Sequence, residues 1–557
     1  MKKQVLLLGL LLAGVGSIFA QKSKNHNFEI NRNLEIFSDI YRQLDMYYVD
    51  TLDADTVIGW AIQSMLKQVD PFTTYFSEED MDEFKTMTTG KYAGIGAVVR
   101  YLKKEQRVAI NEPYENTPAS KAGVRAGDVI LSIDGTDVKG MPVDKVSSML
   151  KGTPGSSFML KVRRYGVSEP LSFKIVRENI QLPSVPYYGM LPDGVGYILL
   201  TSFTEGCAGD VRRALVDLKA QGARSLVFDL RGNGGGLLNE AVEIVNFFVP
   251  KNKKVVYTKG KISSVNSEYF TRKEPLDTVM PLAVLVDRWS ASASEIVAGS
   301  LQDFDRALIV GTRTYGKGLV QAPREVPYNG SLKVTTSRYY IPSGRCIQAY
   351  DYRHLNEDGS VGTVPDSLTH VFHTAAGREV RDGGGITPDV SVLPDTLPSM
   401  VVELAINDIV AEFANWYVAQ HDTIASPEVF DITDSDYAHF VDMVRESGFT
   451  YNKRGRDLLK MLTNSAQVEG YAEDARSALA QLDSLFKGNL KADMERNKKE
   501  IKLILNDELV RRYYYQKGGV LYRMRDDKEL FEACKYLVDE KLYRSKLQVV
   551  EKAEKNN

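Results

Sequence analysis

Five apolar residues, Leu282-Ala-Val-Leu-Val286, run into the serine-rich segment Ser290-Ala-Ser-Ala-Ser294-Glu295. Beyond the serines, Val297, Leu301 and Phe304 recur at i, i+4 and i+7, the spacing of one helix face. The stretch reads as a strand that ends in serines at a helix N-terminus. A strand feeding a helix in this way argues for alternating α/β architecture. It also suits a nucleophile. The hydroxyl is exposed at the sheet edge, and the helix's free N–H groups favour a developing negative charge.

The alternation extends from Gly194 to about Val392. Val195 to Leu200 reads as a strand and Cys207 to Ala220 as a helix with Val211, Leu215 and Leu218 on one face. Leu226 to Leu230 is a strand entering Arg231-Gly-Asn-Gly-Gly-Gly236; a helix from Leu237 to Phe248 follows, and Ala307 to Val310 is a further strand. Upstream, Gly90 to about Ile180 is β-rich. Ile95–Tyr101, Val108–Asn111, Val129–Ile133, Phe158–Arg164 and Leu171–Val176 read as strands, with one short helix at Val143–Leu150.

Phe28 to about Thr86 reads as helical, in runs marked by Leu34, Phe37, Tyr41, Leu44 and Tyr48, then by Ile58 to Val69. A third helix is expected at Ser77-Glu-Glu-Asp80, with Ser77 as N-cap and Asp80 at N3. From Val402 onward the pattern is helical and charged. Val402, Ile406, Ile409, Phe413 and Tyr417 make one face; Leu479, Leu482 and Phe486 a second; Met494, Ile501, Leu505 and Leu509 a third. The run Arg511-Arg-Tyr-Tyr-Tyr515 reads as a helix face packed on the core or on a second subunit.

A chain of 557 residues is too long for one core. The shifts in pattern divide it into a signal segment 1–20, a helical segment 28–86, a β-rich domain 88–180, an α/β core 181–395 and a helical region 400–557. The expected fold class is multidomain α/β. Lys2-Lys3, the apolar stretch Val5 to Phe19 and Ala20 before Gln21 have the form of a secretory signal. Export is therefore expected, with membrane contact only if that segment stays uncleaved. A net charge of −3 without a long basic run argues against nucleic acid. Cys207, Cys346 and Cys534 are far apart and odd in number, so no disulfide framework or metal spacing is expected.

Gly311-Thr-Arg-Thr-Tyr-Gly-Lys-Gly318 nearly matches a phosphate-binding loop. Gly318 stands where Ser or Thr would hold magnesium, and the strand-like Leu319-Val-Gln321 stands where a helix is required. Lys317, wedged between glycines and beside Tyr315, Leu319 and Val320, is better read as a base for the serine. Lowering its pKa from about 10.4 to about 7 takes roughly 4–5 kcal/mol of desolvation. None of the six histidines sits in a catalytic context, and His370 and His373 lack a zinc motif. Gly234-Gly-Gly236 after a strand can offer a backbone N–H to an oxyanion.

Tyr92-Ala-Gly-Ile-Gly-Ala97 places glycine-flanked N–H groups where a peptide's terminal carboxylate could dock, beside a strand edge able to accept the peptide. Thr117-Pro-Ala-Ser-Lys-Ala-Gly123 and Gly127-Asp-Val-Ile-Leu-Ser-Ile-Asp-Gly135 follow, and the ordered set resembles a PDZ domain. The expected peptide contacts are Gly94, Ile95, Gly96 and Ala97, with Val146 and Leu150 walling the groove.

From Asn33 to Leu393 the chain resembles the carboxy-terminal processing, or tail-specific, proteases. The resemblance rests on Asp70-Pro-Phe-Thr-Thr-Tyr75, Asp229-Leu-Arg-Gly-Asn-Gly-Gly-Gly236, the serine run, the Lys317 loop, Tyr340-Ile-Pro-Ser-Gly-Arg345 and Gly383-Gly-Gly-Ile-Thr-Pro-Asp389. It implies a crotonase-like core and a Ser-Lys dyad supported by a glutamine. Those roles fall on Ser292, Lys317 and Gln321, with Ala293 and Gly236 or Gly235 as oxyanion donors. It implies no metal or organic cofactor, and exported protein substrates bound by their C-termini. The C-terminal helices are a candidate surface for a homo-oligomer. The competing reading is a non-catalytic PDZ adaptor on an inert core, against which the intact serine, lysine and glutamine argue.

Overall fold

The computed structural model describes residues 26–548 other than 357, 359, 395, 452, 453, 487 and 488, so the signal segment lies outside the described residues. The chain forms two compact units. One comprises the described residues up to Ser77 together with Pro323–Thr335. Its first helix covers residues 26–47, and its second, Ala54–Lys67, is capped by Asp53, whose carboxylate accepts from Thr56 N–H at 2.9 Å. The strand Thr74–Phe76 pairs antiparallel with residues 331–333. That strand falls in the gap between the helical run ending at Val69 and the one expected to begin at Ser77, where no strand was expected. Asp70 sets up the turn into it, accepting from Phe72 N–H at 2.8 Å and Thr73 N–H at 2.7 Å.

The second unit, Glu78–Ala322 with Thr336–Asn557, carries everything else. Its first helix is Met81–Thr89, so Ser77 is not an N-cap and Asp80 is not at N3. Asp80 itself stands at the cap, with helical backbone angles and no capping side-chain bond. Residues 78–80 form a turn instead, which delays the helix. The sheet of the β-rich domain follows, in the order Ala97–Leu102, Arg107–Pro113, Val129–Ile133, Ser157–Arg163, Leu171–Val176. Ser157–Arg163 alternates buried and exposed residues strictly, as a strand with one face on a core must. The helix Val143–Leu150 closes that core with Val146 and Leu150.

The α/β core is a six-stranded sheet ordered Tyr187–Met190, Val195–Leu199, Ser225–Asp229, Leu282–Val286, Leu308–Gly311, Val390–Ser391. Only the first pair is antiparallel. Every residue of Ser225–Asp229 and Leu282–Val286 is buried, because both sheet faces are covered. Cys207–Ala220, Leu238–Phe248 and Ala293–Asp303 pack on one face. Lys528–Val538 and Glu540–Leu547, from the C-terminal region, pack on the other.

The C-terminal helices also build a core of their own. The expected single face from Val402 to Tyr417 is two helices, Ser399–Ile406 and Ile409–Gln420, broken at the extended Asn407. Ile409, Phe413 and Tyr417 are buried, whereas Val402 and Ile406 are 44% and 76% exposed. Met494 lies on a short helix, Leu490–Arg496, ahead of the helix Lys498–Arg523 that carries Ile501, Leu505 and Leu509; all four are buried. The arginine–tyrosine run turns inward: Arg512 donates to Ala126 O at 2.9 Å, and Tyr514 to Ile424 O at 2.9 Å. Cys207, Cys346 and Cys534 are free thiols.

Candidate active site

The strand Leu282–Val286 ends in a turn organised by Asp287, whose carboxylate accepts from Gly232, Trp289 and Ser290 N–H at 2.9–3.0 Å. Ser290 and Ser294 are fully buried, and their hydroxyls donate to Leu230 O and Asn233 O at 2.8 Å each. Ser292 between them is half-buried. It starts the helix Ala293–Asp303 with φ 57° and ψ −112°. A non-glycine residue held there stores roughly 1–3 kcal/mol of strain, which the surroundings must enforce.

Glu295 supplies much of that enforcement. It is completely buried. Its Oε2 accepts from Ser292 N–H at 2.8 Å and Lys317 N–H at 2.9 Å. Its Oε1 accepts from the Thr314 hydroxyl at 2.5 Å and Gly316 N–H at 2.7 Å. One carboxylate therefore ties the serine turn to the lysine loop. Burial raises its pKa, and the four donors offset that only in part. Tyr315 N–H donates to Ser290 O at 3.1 Å, a further clamp between the same two segments. Tyr339 adds another: its hydroxyl donates to Ser292 O at 3.3 Å and its N–H to Gly318 O at 3.0 Å. Gln321 lies in the strand Leu319–Val326, which leaves the lysine loop directly.

The glycine loop docks on the other side of Ser292 through the buried Asn233. Its carbonyl accepts from Ala291 N–H at 3.0 Å, and its amide donates to Leu200 O at 2.8 Å. Gly235 packs so tightly that a Cβ there would stand 2.8 Å from Ser292 Cβ and 2.9 Å from Ala293 N. Its own N–H, however, donates to Asn233 Oδ1 at 2.9 Å. Gly236 is bridged to Phe203 in parallel pairing. Of the two glycines, Gly236 is thus the one whose N–H is not drawn into the Asn233 turn.

The structure therefore gathers the segments carrying Ser292, Ala293, Lys317, Gly235 and Gly236. The peptide-binding candidates lie apart, in the β-rich domain: Gly94 ends the strand Lys91–Gly94, Ala97 begins Ala97–Leu102, and Val146 and Leu150 are on the helix Val143–Leu150. Ile95, Val146 and Leu150 are buried there at 3%, 0% and 4% exposure. A cavity of about 530 Å³ lies between the two sheets, lined by Tyr114 and Lys151 on one side, Thr201 and Ser202 on the other, and Arg511 of the C-terminal region. Sequence reasoning singled out neither Glu295 nor Asn233. The capping pattern Ser292-x-x-Glu295 was a readable signal for the first. Nothing local announces the second.

Residues 194–366 match peptidase family S41, residues 110–164 match a PDZ domain, and residues 400–537 match the C-terminal helical domain of probable PDZ-proteases. The chain is 34% identical over 345 residues to a carboxy-terminal-processing protease of Bartonella bacilliformis, covering 61% of this chain and 78% of that protein. It is 31% identical over 379 residues to a probable CtpA-like serine protease of Staphylococcus epidermidis, covering 66% and 75%. Among solved structures it is similar to a photosystem II D1 C-terminal processing protease, at 28% identity and TM-score 0.35, over 65% of this chain and 93% of that one.

Proposed function

The chain belongs to peptidase family S41 as a carboxy-terminal-processing serine protease with a PDZ domain, and on that footing we propose that it acts after export, through a Ser292–Lys317 dyad, on proteins held by their C-termini. The carrying observation is the single carboxylate oxygen of Glu295 that accepts from both Ser292 N–H and Lys317 N–H. It fixes the backbones of nucleophile and base against each other.

In this reading Ser292 Oγ attacks the scissile carbonyl carbon while Lys317 Nζ takes its proton. Negative charge develops on the carbonyl oxygen, where Ala293 N–H and Gly236 N–H receive it. As the intermediate collapses, Lys317 returns the proton to the leaving amine. Water then attacks the acyl-enzyme with Lys317 again as base. Gln321 orients the lysine. The Gly94–Ala97 loop and the strand edge beside it hold the tail. The secretory form of residues 1–20 supports an exported, periplasmic setting; among the described residues no helix is long and apolar enough to cross a membrane. A homo-oligomer through the C-terminal helices also belongs to this proposal.

Labelling by a serine-directed acylating probe tests the dyad in wild type, Ser292→Ala and Lys317→Arg. Wild type should label, and both variants should not, since a guanidinium with a pKa above about 12 cannot act as the base. Undiminished labelling of Ser292→Ala would move the nucleophile elsewhere. Labelling of Lys317→Arg at the wild-type rate would reduce the lysine to a fixed charge.

A further inference from the structure

Lys317 stands on a loop outside any helix or strand. Residues 313–318 have no regular structure, and the strand Leu319–Val326 begins only beyond them. Gly316 and Gly318 are buried all the same, so the backbone groups around the lysine need partners from elsewhere in the chain. Glu295 meets two of them, accepting from Gly316 N–H at 2.7 Å and from Lys317 N–H at 2.9 Å. The next donor in the row turns to a different side chain. Gly318 N–H donates to Gln348 Oε1 at 2.8 Å.

Gln348 is 8% exposed and belongs to a second irregular segment, 345–349. Its amide is fixed at both ends. The oxygen faces Gly318 N–H, and Nε2 donates to Tyr350 O at 3.0 Å. A reversed amide would set donor against donor and acceptor against acceptor. The backbone beside it is docked on the lysine loop as well. Ala349 N–H donates to Gly316 O at 2.9 Å, and Tyr339 N–H closes on Gly318 O at 3.0 Å. A Cβ on Gly318 would stand 2.9 Å from Gln348 N, so only a glycine after the lysine lets the two segments come this close. The Gln348 segment is anchored in turn: Ile347 O accepts from Gly385 N–H at 2.9 Å, and Ala349 O from Val364 N–H at 2.8 Å.

We propose that Gln348 is a positioning residue for the base, holding the backbone that follows Lys317 as Glu295 holds the backbone that leads into it. The inference rests on the Ser292–Lys317 dyad proposed above. The role is distinct from that given to Gln321, which orients the lysine side chain; Gln348 fixes the backbone from which that side chain springs. Lysine has a flexible four-carbon stem, so a tilt at its root is carried to Nζ. The residue type suits the task. A carboxylate would accept from Gly318 N–H equally well, but a further negative charge beside the lysine would favour its ammonium form. The neutral amide supplies the acceptor without the charge.

A small serine-directed acylating probe separates binding from chemistry, as KI and kinact, without depending on tail capture. Gln348→Met keeps the length of the side chain and removes the oxygen. Read below its melting temperature, it should lower kinact about ten- to a hundredfold with KI within about twofold of wild type, the scale of a slight misplacement of a reacting group. Gln348→Asn keeps the amide but withdraws it by one methylene; it should slow the same step and is read where Gln348→Met does not fold. A lower melting temperature with wild-type kinact would confine Gln348 to stability. A raised KI with wild-type kinact would move it to substrate binding. Either result overturns the inference and leaves the dyad in place, provided that Lys317→Arg fails to label in the same assay. If Lys317→Arg labels at the wild-type rate, the dyad falls and the inference with it.

Discussion

Glu295 shows how much one buried side chain can decide. Four groups donate to its two oxygens, and three of them are backbone N–H groups that have no water to turn to. Glu295→Gln keeps the shape but replaces one oxygen with an amide that itself donates. Two donors at that end would then face a donor, and each unsatisfied buried group costs about 1–3 kcal/mol. We expect a melting temperature lower by several degrees. In the fraction that folds, turnover should drop sharply, because Ser292 and Lys317 lose their common anchor. Differential scanning calorimetry beside a peptide-cleavage assay checks both. Wild-type turnover in a destabilised Glu295→Gln would confine the residue to stability.

At the level of elements, the serine turn and the glycine loop are shaped against each other. Gly235, at φ 96°, faces Ala291 O, where an added Cβ would come within 2.6 Å. Gly234 next to it has no neighbour within 4 Å of such a Cβ. Gly235→Ala should therefore lower kcat about a hundredfold or more by pushing the loop off Ser292. Gly234→Ala should remain close to wild type, and steady-state kinetics on the pair measures the contrast; equal effects would mean that loop composition, not this contact, matters. The sequence shows three glycines in a row and cannot tell them apart, since the difference lies in what packs against each. Elements with strong local patterns were legible: Leu282–Val286, Val143–Leu150 and Leu171–Val176 lie where their apolar spacing places them. The strand Thr74–Phe76 was hidden, being three residues long with its partner at 331–333. The break at Asn407 was hidden too, because the apolar spacing runs on through it while the backbone turns extended. At the candidate site, Ser292, Lys317 and Gln321 stand out by their motifs. Glu295 and Asn233 take their meaning from contacts that only the tertiary fold creates.

Across the whole molecule, the C-terminal helices complete the protease sheet rather than hang from it. Leu530, Ala533, Tyr536 and Leu537 cover the face formed by Tyr197, Val227, Ala283, Leu285 and Val310. The Tyr543 hydroxyl accepts from Leu282 N–H at 3.0 Å, reaching the strand that leads to Ser292. At the junction stands Arg231, from the loop that also carries Asn233 and the glycines. Its guanidinium is shared among Asp229 at 2.6 Å, Asp527 at 2.6 Å and Glu529 at 2.5 Å. Burial raises the Glu529 carboxyl, and Arg231 offsets that only in part. Three carboxylates on one cation leave no slack. Arg231→Met would strand them together with little water, and breaking such a pair costs about 3–5 kcal/mol. The loss should appear as a lower denaturant midpoint for the core and the C-terminal region in one transition, because the two share a hydrophobic cluster. Adding Glu529→Gln removes one of the uncompensated charges, so the double variant should recover part of that loss. A double variant no more stable than Arg231→Met would show that the arginine acts through its packing. Two separated transitions would show that the C-terminal helices fold apart from the sheet they cover.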